Sequence, residues 1–314
     1  MTDVSIVIVG FRNPEDIVRC LAALAAATHA DFSVVVVENG GPAAFQTLVD
    51  ALPAALPGGQ RVRSVLADGN TGFAGGVNRG LAESPNADAW WILNPDTEPH
   101  PETLARYVAR LRIGDVDAVG GALHLPDGRV QSYGGIWRPW MARAVSIGHG
   151  TPRDVKPDPS EIEARQSYLN GASMLVSRRF LAVCGPMAEH YFLYCEEVEW
   201  CLRARKRGLR LGFAPDAPVL HHQGTTTGND VDLRTRGRTP VYLNERNKIL
   251  LTRECFPGHA PLAILADLVL IALKFGKRRA WRQMGYALEG WRAGLAGETG
   301  PPPTTPRRGG SAML

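Results

Sequence analysis

The sequence predicts an α/β protein built on a largely parallel sheet that helices cover on both faces. Short runs of β-branched residues alternate with segments whose apolar residues recur at helical spacing, as in successive strand–helix–strand units. The predicted strands are continuously apolar rather than alternating, which is typical of strands buried on both faces. With 314 residues, 45% of them hydrophobic, the chain has enough apolar material for a real core.

The predicted elements follow in order along the chain. Strands are expected at residues 4–9, 33–37, 61–66, 89–93, 118–124, 173–176 and 210–218. Helices are expected at residues 14–27, 75–83, 99–112 and 196–207, and over most of the last ~80 residues up to Gly297. Residues 126–167 are rich in glycine and proline, and we expect a mobile excursion there.

Charge and cysteine usage exclude several classes of protein. The net charge of +4 divides into +6 from Lys274 onward and −2 before it, and so weakly acidic a body argues against general nucleic-acid binding. Five cysteines without a C-x-x-C pair argue against a disulfide framework and a zinc knuckle, so we expect a reducing cytosol. The first residues lack the basic segment of a signal peptide, so export is not expected.

The ends of the first two predicted strands bear on nucleotide binding. Neither a G-x-G-x-x-G turn nor a G-x-x-x-x-G-K-[ST] phosphate loop occurs in the sequence. Glu38 and Asn39 follow the second strand, where a carboxylate can accept hydrogen bonds from a base or ribose edge. An ordinary strand-to-helix turn is the alternative.

A glycine-rich turn follows the third predicted strand. Residues 70–80 read NTGFAGGVNRG. Glycine permits close approach of the main chain to a ligand, and a helix N-terminus at this point would favour a diphosphate. A tight strand-to-helix connection explains the glycines equally well.

A candidate cation site follows the strand at residues 89–93. Mg²⁺ or Mn²⁺ takes a few protein oxygens and completes its shell with phosphate and water. Asp96 is the best ligand in this segment, and Asn94 offers an amide oxygen. A helix cap leading into residues 99–112 is the alternative, and the two roles are compatible.

Three glutamates within four positions form the most informative cluster. Glu196, Glu197 and Glu199 follow a run of aromatic residues. They are favoured by the helix dipole at a first helical turn, or one of them is a general base whose pKa its apolar surroundings raise. Downstream, His221 and His222 end a strand and offer an imidazole metal ligand.

Taken in order, these segments resemble the inverting family-2 glycosyltransferases, and in particular the rhamnosyltransferase-like enzymes of bacterial cell-surface polysaccharide synthesis. The resemblance covers residues 3–255 and rests on VEN, NTGFAGGVNRG, NPDTE, NGASMLVSRRF, FLYCEEVEWCLRARKRG and VLHHQGTTTG. It implies a GT-A fold, a dTDP-sugar or UDP-sugar donor, a divalent cation (Mg²⁺ or Mn²⁺), and a glycan or lipid-linked saccharide acceptor.

The resemblance also implies roles for individual residues. Asp96 matches the metal-contacting carboxylate of the family's D-x-D element, and His221 matches its histidine ligand, with His222 left as an alternative. The element that matches E-D-x-D begins at Glu196 and places Glu196 and Glu197 among the catalytic residues, with Glu197 as the base. Donor-binding roles fall on Glu38, Asn39, Asn70, Gly72, Asn78, Asn94 and Arg246, the last near phosphates.

Two departures from the family pattern keep a second function open. Asn94 replaces the first aspartate of D-x-D, and glutamate replaces aspartate at Glu197 and Glu199. An added methylene moves the carboxylate by about 1 Å, enough to matter in a tight site. The alternative to an active glycosyltransferase is a non-catalytic sugar-nucleotide-binding or scaffold subunit. A nucleotidyltransferase is less favoured, because the first strand lacks the loop it would need.

The C-terminal part carries a separate expectation. We divide the chain into a catalytic domain (1–255), a helical segment (256–296) and a disordered tail (297–314). Residues 260–273 are apolar, and basic residues around Trp281 follow them. We expect this apolar stretch to be too short to span a membrane. The segment is either a helix lying on the inner face of the membrane or a core helix packed on the catalytic domain.

Overall fold

The computed structural model describes residues 2–222 and 232–303, and a nine-stranded sheet forms its centre. The strands of this sheet are β1 (Val4–Gly10), β2 (Phe32–Glu38), β3 (Val62–Leu66), β4 (Ala89–Leu93), β5 (Thr97–Pro99), β6 (Ala118–His124), β7 (Val130–Ser132), β10 (Ser173–Ser177) and β11 (Leu211–His221). A separate pair of strands is formed by β8 (Gly135–Arg138) and β9 (Arg143–Ser146). The helices are α1 (Pro14–Leu24), α2 (Pro42–Ala51), α3 (Gly72–Ala82), α4 (Thr103–Arg112), α5 (Pro159–Arg165), α6 (Arg178–Cys184), α7 (Glu196–Lys206), α8 (Arg238–Cys255), α9 (Ala260–Lys277) and α10 (Trp281–Ala296).

The long strands run mostly in one direction. The sheet order is β3-β2-β1-β4-β10-β6-β11-β5, with β7 paired to β6. Strands β1 to β4 pair in parallel, and so do β6 and β11. Strand β10 lies antiparallel between β4 and β6 and so gives these strands the same direction. The predicted mostly parallel sheet is therefore present, with β10 as its main exception.

Both faces of the sheet are buried, as the continuous apolar strands predict. On one face, Ile6 and Ile8 of β1 pack with apolar residues of α1 and α4. On the other face, Val7 packs with residues of α3, α7 and α8. Successive side chains of a strand point to opposite faces, so a strand between two helical layers has to be apolar throughout.

The structure corrects the predicted elements at several places. Residues 97–99 form β5, which pairs with β11, and the helix expected from residue 99 begins at Thr103. Helices α2 and α6 were not predicted. Within the expected excursion at 126–167, β8 and β9 form a hairpin and α5 follows it, so much of this stretch has regular structure.

The C-terminal helices pack on one another and on α8. Gly290 and Gly294 of α10 let it approach α8 closely, since a Cβ at Gly290 would lie 2.2 Å from the carbonyl oxygen of Tyr242. Residues 298–303, expected to be disordered, make ordered contacts: Gly300 donates its N–H to His190 and accepts from Arg246. The remainder of the expected disordered tail, 304–314, lies outside the described residues.

One segment has the length of a membrane span. Pro257–Lys277 is long and apolar enough to cross a membrane by length and composition, so the expectation that it is too short is wrong by this criterion. The helix nevertheless packs on the rest of the protein: Asp267 of α9 accepts a hydrogen bond from Lys248 of α8 at 2.7 Å.

The close α8–α10 contact predicts the effect of two glycine substitutions. Gly290→Val should lower the free energy of unfolding by about 1–3 kcal/mol, because its side chain meets backbone atoms that cannot move aside. Gly285→Ala on the same helix has open space around it and should be neutral or stabilising by up to about 1 kcal/mol. Urea unfolding followed by circular dichroism measures the free energy of unfolding of each variant. Equal values for Gly290→Val and Gly285→Ala would contradict the close α8–α10 contact.

Candidate active site

The candidate residues gather at one edge of the sheet. Strands β1, β2 and β4 end at this edge, with Gly10 opposite Glu38 and Ile8 opposite Leu93 in the register. The loops that follow the carboxyl ends of parallel strands meet at the same edge, where ligands bind in open α/β sheets. His221 joins them because its strand pairs with β5 at Thr97.

Asp96 and His221 lie side by side and are both buried. His221 Nε2 is 3.2 Å from Asp96 Oδ1, and His221 Nδ1 is 2.7 Å from the Gln131 side-chain oxygen. The contact with Gln131 orients the ring so that Nε2 is directed at the Asp96 carboxylate. An imidazole nitrogen and a carboxylate oxygen at this distance are both atoms that can bind a cation, and a second group that holds the ring is typical of metal-binding histidines.

His222 has a different partner. Its Nε2 is 2.7 Å from Glu98 Oε1, and Arg19 approaches the same carboxylate at 3.5 Å. Of the two histidines, His221 is therefore the one beside Asp96. Residues 2–222 and 232–303 contain no group of three or more His, Cys, Asp and Glu side chains arranged to hold a metal, so Asp96 and His221 are a pair within this part of the chain.

Glu38 is fully buried at the end of β2. One of its oxygens, Oε1, accepts hydrogen bonds from the N–H groups of Arg12 and Gly40. Oε2 has no hydrogen-bond partner among the described residues. Glu38 thus shapes the loop after β1, while its second oxygen is buried beside it.

Asn39 and Asn70 bond to the protein itself. The Asn39 side chain donates to the carbonyl oxygen of Gly72 at 2.8 Å and accepts from Thr71. Asn70 accepts from the N–H of Gly72 in a local turn. These two residues, expected to contact the donor, fix the glycine-rich turn at the start of α3.

Gly72 and Asn78 connect the glycine-rich segment to the loop before α7. Gly72 has a φ of +73°, and a Cβ there would lie 2.1 Å from the carbonyl oxygen of Phe192, which also accepts from the N–H of Phe73. The Asn78 side chain accepts from the N–H of Met187 and donates to its carbonyl oxygen. In the structure both expected donor-binding residues support the loop that leads to the glutamates.

That loop has an unusual backbone. Phe192, Tyr194 and Cys195 have φ values of +67°, +73° and +72°, in the left-handed region that residues other than glycine rarely occupy. Such strain persists only where the surrounding structure enforces it, and it concentrates at functional sites. Helix α7 begins at the next residue, Glu196.

Arg246 and Asn247 of α8 hold the strained loop in place. The Asn247 side-chain nitrogen lies 2.8–2.9 Å from the carbonyl oxygens of Tyr191, Leu193 and Tyr194, which share its two N–H groups. Arg246 is fully buried and donates to Tyr191 and to Asn247. In this structure the Arg246 guanidinium braces the loop from inside the protein, and its expected place near phosphates stays a prediction.

The three glutamates of α7 differ in their surroundings. Glu199 forms an ion pair with Arg203 one turn later. Burial, and then the charge of Glu197, raises the pKa of Glu196 to about 8. Burial also raises the pKa of Glu197 above its usual range. Glu197 lacks an arginine partner in the described structure and lines a cavity, as a proton acceptor must.

A short loop joins the two parts of the site. Ala172 accepts a hydrogen bond from the N–H of Asn94 at 2.9 Å. A Cβ at Gly171 would lie 3.3 Å from Glu197 Cβ, so the absent side chain leaves room for the glutamate. The segment that carries Asp96 and the helix that carries Glu197 therefore contact the same loop on neighbouring residues.

A cavity of about 350 Å³ opens beside Glu197 and contains polar groups that the sequence did not indicate. Trp137 of β8 and Tyr194 line one part of it, and Lys248 and Asp267 line another. Asp267 and Glu245 are both paired with Lys248, and burial raises the pKa of Asp267 to about 6. The only sequence feature that indicates this cluster is Asp267, an aspartate within the otherwise apolar stretch of α9.

Comparison with known proteins agrees with this geometry. Residues 2–239 match the model of the family described as "Glycosyltransferase like family 2". The chain is 30% identical over 261 residues to the N-acetylglucosaminyl-diphospho-decaprenol L-rhamnosyltransferase of Mycobacterium tuberculosis, covering 73% of this chain and 80% of the relative.

Two solved structures share the fold. GalNAc-T7, solved with UDP, GalNAc and Mn²⁺, matches with a TM-score of 0.63 at 13% identity, over 81% of this chain and 48% of its own, so this chain spans about half of that protein. A mannosyltransferase from Pyrobaculum calidifontis, in complex with GDP-Man and Mn²⁺, matches with a TM-score of 0.53 at 16% identity, over 93% of this chain and 86% of its own.

The family match covers most of the chain, and the expected GT-A architecture is confirmed. The protein belongs to the family-2 glycosyltransferases and is a transferase enzyme with rhamnosyltransferase relatives.

Proposed function

We propose that the protein is an inverting glycosyltransferase that moves a sugar, with rhamnose the first candidate, from a dTDP- or UDP-linked donor to a hydroxyl of a lipid-linked saccharide. The choice of sugar and acceptor is supported by the rhamnosyltransferase relative, whose name specifies a saccharide on a lipid diphosphate. The single observation that carries the mechanism is Glu197, a glutamate with a raised pKa facing a cavity beside the loop that contacts Asn94.

In this mechanism Glu197 is the general base. The acceptor hydroxyl attacks the anomeric carbon from the face opposite the diphosphate, so the configuration inverts. Glu197 removes the hydroxyl proton as the new bond forms, and the bond to the diphosphate breaks. A base whose pKa lies closer to neutral takes up that proton more readily than an ordinary carboxylate.

Asp96 and His221 would hold the divalent cation. The fit rests on the position of two buried ligand atoms, His221 Nε2 and Asp96 Oδ1, which lie 3.2 Å apart. Two protein ligands leave positions for diphosphate oxygens and water, as Mg²⁺ and Mn²⁺ prefer. When bound, the cation supplies positive charge that stabilises the leaving diphosphate. Gln131, 2.7 Å from Nδ1, would keep the imidazole oriented with Nε2 toward the cation.

The acceptor would occupy the cavity at Glu197. Trp137 and Tyr194 offer aromatic surfaces there, and Asp267 and Lys248 offer hydrogen-bonding groups for sugar hydroxyls. We place the reaction in the cytoplasm, since all five cysteines are free, as expected in a reducing compartment.

Replacing the base should abolish transfer and spare donor binding. We expect Glu197→Gln to lower kcat by about 10²–10⁴-fold, because the amide cannot take up a proton, while nucleotide affinity changes by less than about twofold. Glu199→Gln, a matched change in the same helix, should retain most activity because Glu199 is paired with Arg203. Product formation and calorimetric nucleotide binding give the two readouts; turnover retained in Glu197→Gln would refute the role of base.

Removing the proposed ligands should abolish cation-dependent nucleotide binding. With Mn²⁺ and each of UDP, dTDP and GDP, we expect the wild-type melting temperature to rise with one nucleotide, because a ligand that binds only the native state stabilises it. Asp96→Asn and His221→Ala should lose the Mn²⁺-dependent part of that rise.

His222→Ala is the control for the cation site, because His222 is bonded to Glu98 and should leave the rise unchanged. A folded wild-type protein that shows no rise with any nucleotide would favour a non-catalytic scaffold. Loss of the rise in His222→Ala but not in His221→Ala would exchange the two assignments.

A further inference from the structure

Helix α9 has two faces of opposite character. Ala263, Asp267, Ile271 and Phe275, spaced one turn apart, are buried against the rest of the protein. The opposite face carries four large apolar side chains that are 52–61% exposed: Leu262, Leu265, Val269 and Leu273. A surface helix normally presents polar residues to water, and a contiguous exposed apolar stripe marks an interaction site.

Positive charge lies at the C-terminal end of this apolar stripe. Lys277, Arg278, Arg279 and Arg282 follow one another within six positions, and all are exposed. Trp281 lies among them and is 61% exposed. An apolar helix face next to basic residues and an exposed tryptophan is the composition of a helix that lies in the interface of an anionic membrane.

The inner face of α9 excludes a membrane-spanning role for this helix in the folded protein. Lys248 of α8 donates a hydrogen bond to Asp267 of α9 at 2.7 Å. Trp291 of α10 donates to the carbonyl oxygen of Ile264 at 3.1 Å. One side of the helix is therefore occupied by protein, and only the apolar stripe is available to lipid.

The same helix forms part of the cavity at Glu197. Asp267, Ile271 and Lys274 line that cavity from the inner face of α9. Lys274 also lines a second, surface cavity of about 360 Å³, together with Arg236 and Arg278, and with Leu233 and a single acidic residue, Asp232. One helix thus connects the exposed apolar stripe, a basic depression and the Glu197 cavity.

We propose that the apolar stripe of α9 and the basic cluster 277–282 seat the protein on an anionic lipid bilayer. The helix lies flat, with the stripe among the acyl chains and the arginines at the lipid phosphates. The basic depression then lies at headgroup level, where the diphosphate of a lipid-linked acceptor would be found. This last point rests on the proposed function; the bilayer contact does not.

Cosedimentation of the full chain with vesicles tests the contact without any need for turnover. We expect binding to phosphatidylcholine vesicles that contain about 30% phosphatidylglycerol, and much weaker binding to phosphatidylcholine alone. Raising NaCl from about 0.1 to about 0.5 M should weaken binding, since exposed charges are screened. A wild-type protein that stays in the supernatant with both vesicle types would overturn the proposal.

Two sets of variants separate the apolar and basic contributions. Leu265→Gln/Val269→Gln/Leu273→Gln and, separately, Arg278→Gln/Arg282→Gln should each reduce the vesicle partition coefficient by at least about tenfold. The control Val49→Gln/Ile113→Gln removes exposed apolar residues outside the stripe and should bind as the wild type does. Equal binding by the triple variant would overturn the proposal.

Other occupants of the stripe give different results. If a second copy covers it, light scattering will show a wild-type dimer that the triple variant converts to a monomer, and the bilayer proposal fails. If residues 304–314 make the membrane contact, their deletion will abolish vesicle binding, and the proposal fails likewise; binding retained after the deletion supports it. The triple variant should keep the nucleotide-dependent rise in melting temperature. That result would show that it has lost vesicle binding without a change at the donor site.

Discussion

The side-chain amide of Asn247 makes the interaction on which the candidate active site depends most. Its two N–H groups are shared among three carbonyl oxygens of a loop whose backbone is strained at Phe192, Tyr194 and Cys195. Each residue in such a conformation costs on the order of 1–3 kcal/mol of conformational free energy, so the loop keeps this backbone only if other groups hold it there. Asn247 is one such group, and Arg246 fixes it in turn. The loop ends where α7 begins, so this bracing sets the position of Glu197.

The rest of the site is organised around the same loop. Gly72 contacts Phe192 from the glycine-rich segment, and Asn78 binds the backbone of Met187 just upstream. Residues 170–172 join the Asn94–Asp96 segment to Glu197. The proposed cation site and the proposed base therefore lie on separate elements held in one arrangement by backbone contacts. This is the pre-organisation that transfer between a bound donor and a bound acceptor requires.

Much of the fold could be predicted from the sequence because buried parallel strands and amphipathic helices leave strong local patterns. The runs at 4–9 and 89–93 are strands, and Glu196 begins a helix. β5 was missed because its pairing with β11 is non-local and its proline suggested a helix start. The side-chain partners of Asn39, Asn78 and Arg246 could not be predicted either. Motif matching identifies which residues matter but does not distinguish a ligand contact from a backbone brace. Asp267 and Lys248 are distant in sequence, and only the packing of α9 on α8 brings them together at the Glu197 cavity.

The central claim is that Asn247 positions Glu197 without contacting either substrate, and the variant Asn247→Asp tests it most directly. The substitution keeps the shape of the side chain and replaces its N–H donors with an oxygen that faces three carbonyl oxygens. Turnover should be measured together with the nucleotide- and Mn²⁺-dependent rise in melting temperature. The account predicts a folded protein that retains this rise while kcat falls by about 10²-fold, the cost of a misplaced catalytic group. Turnover at the wild-type level, or loss of nucleotide binding in a folded protein, would contradict it.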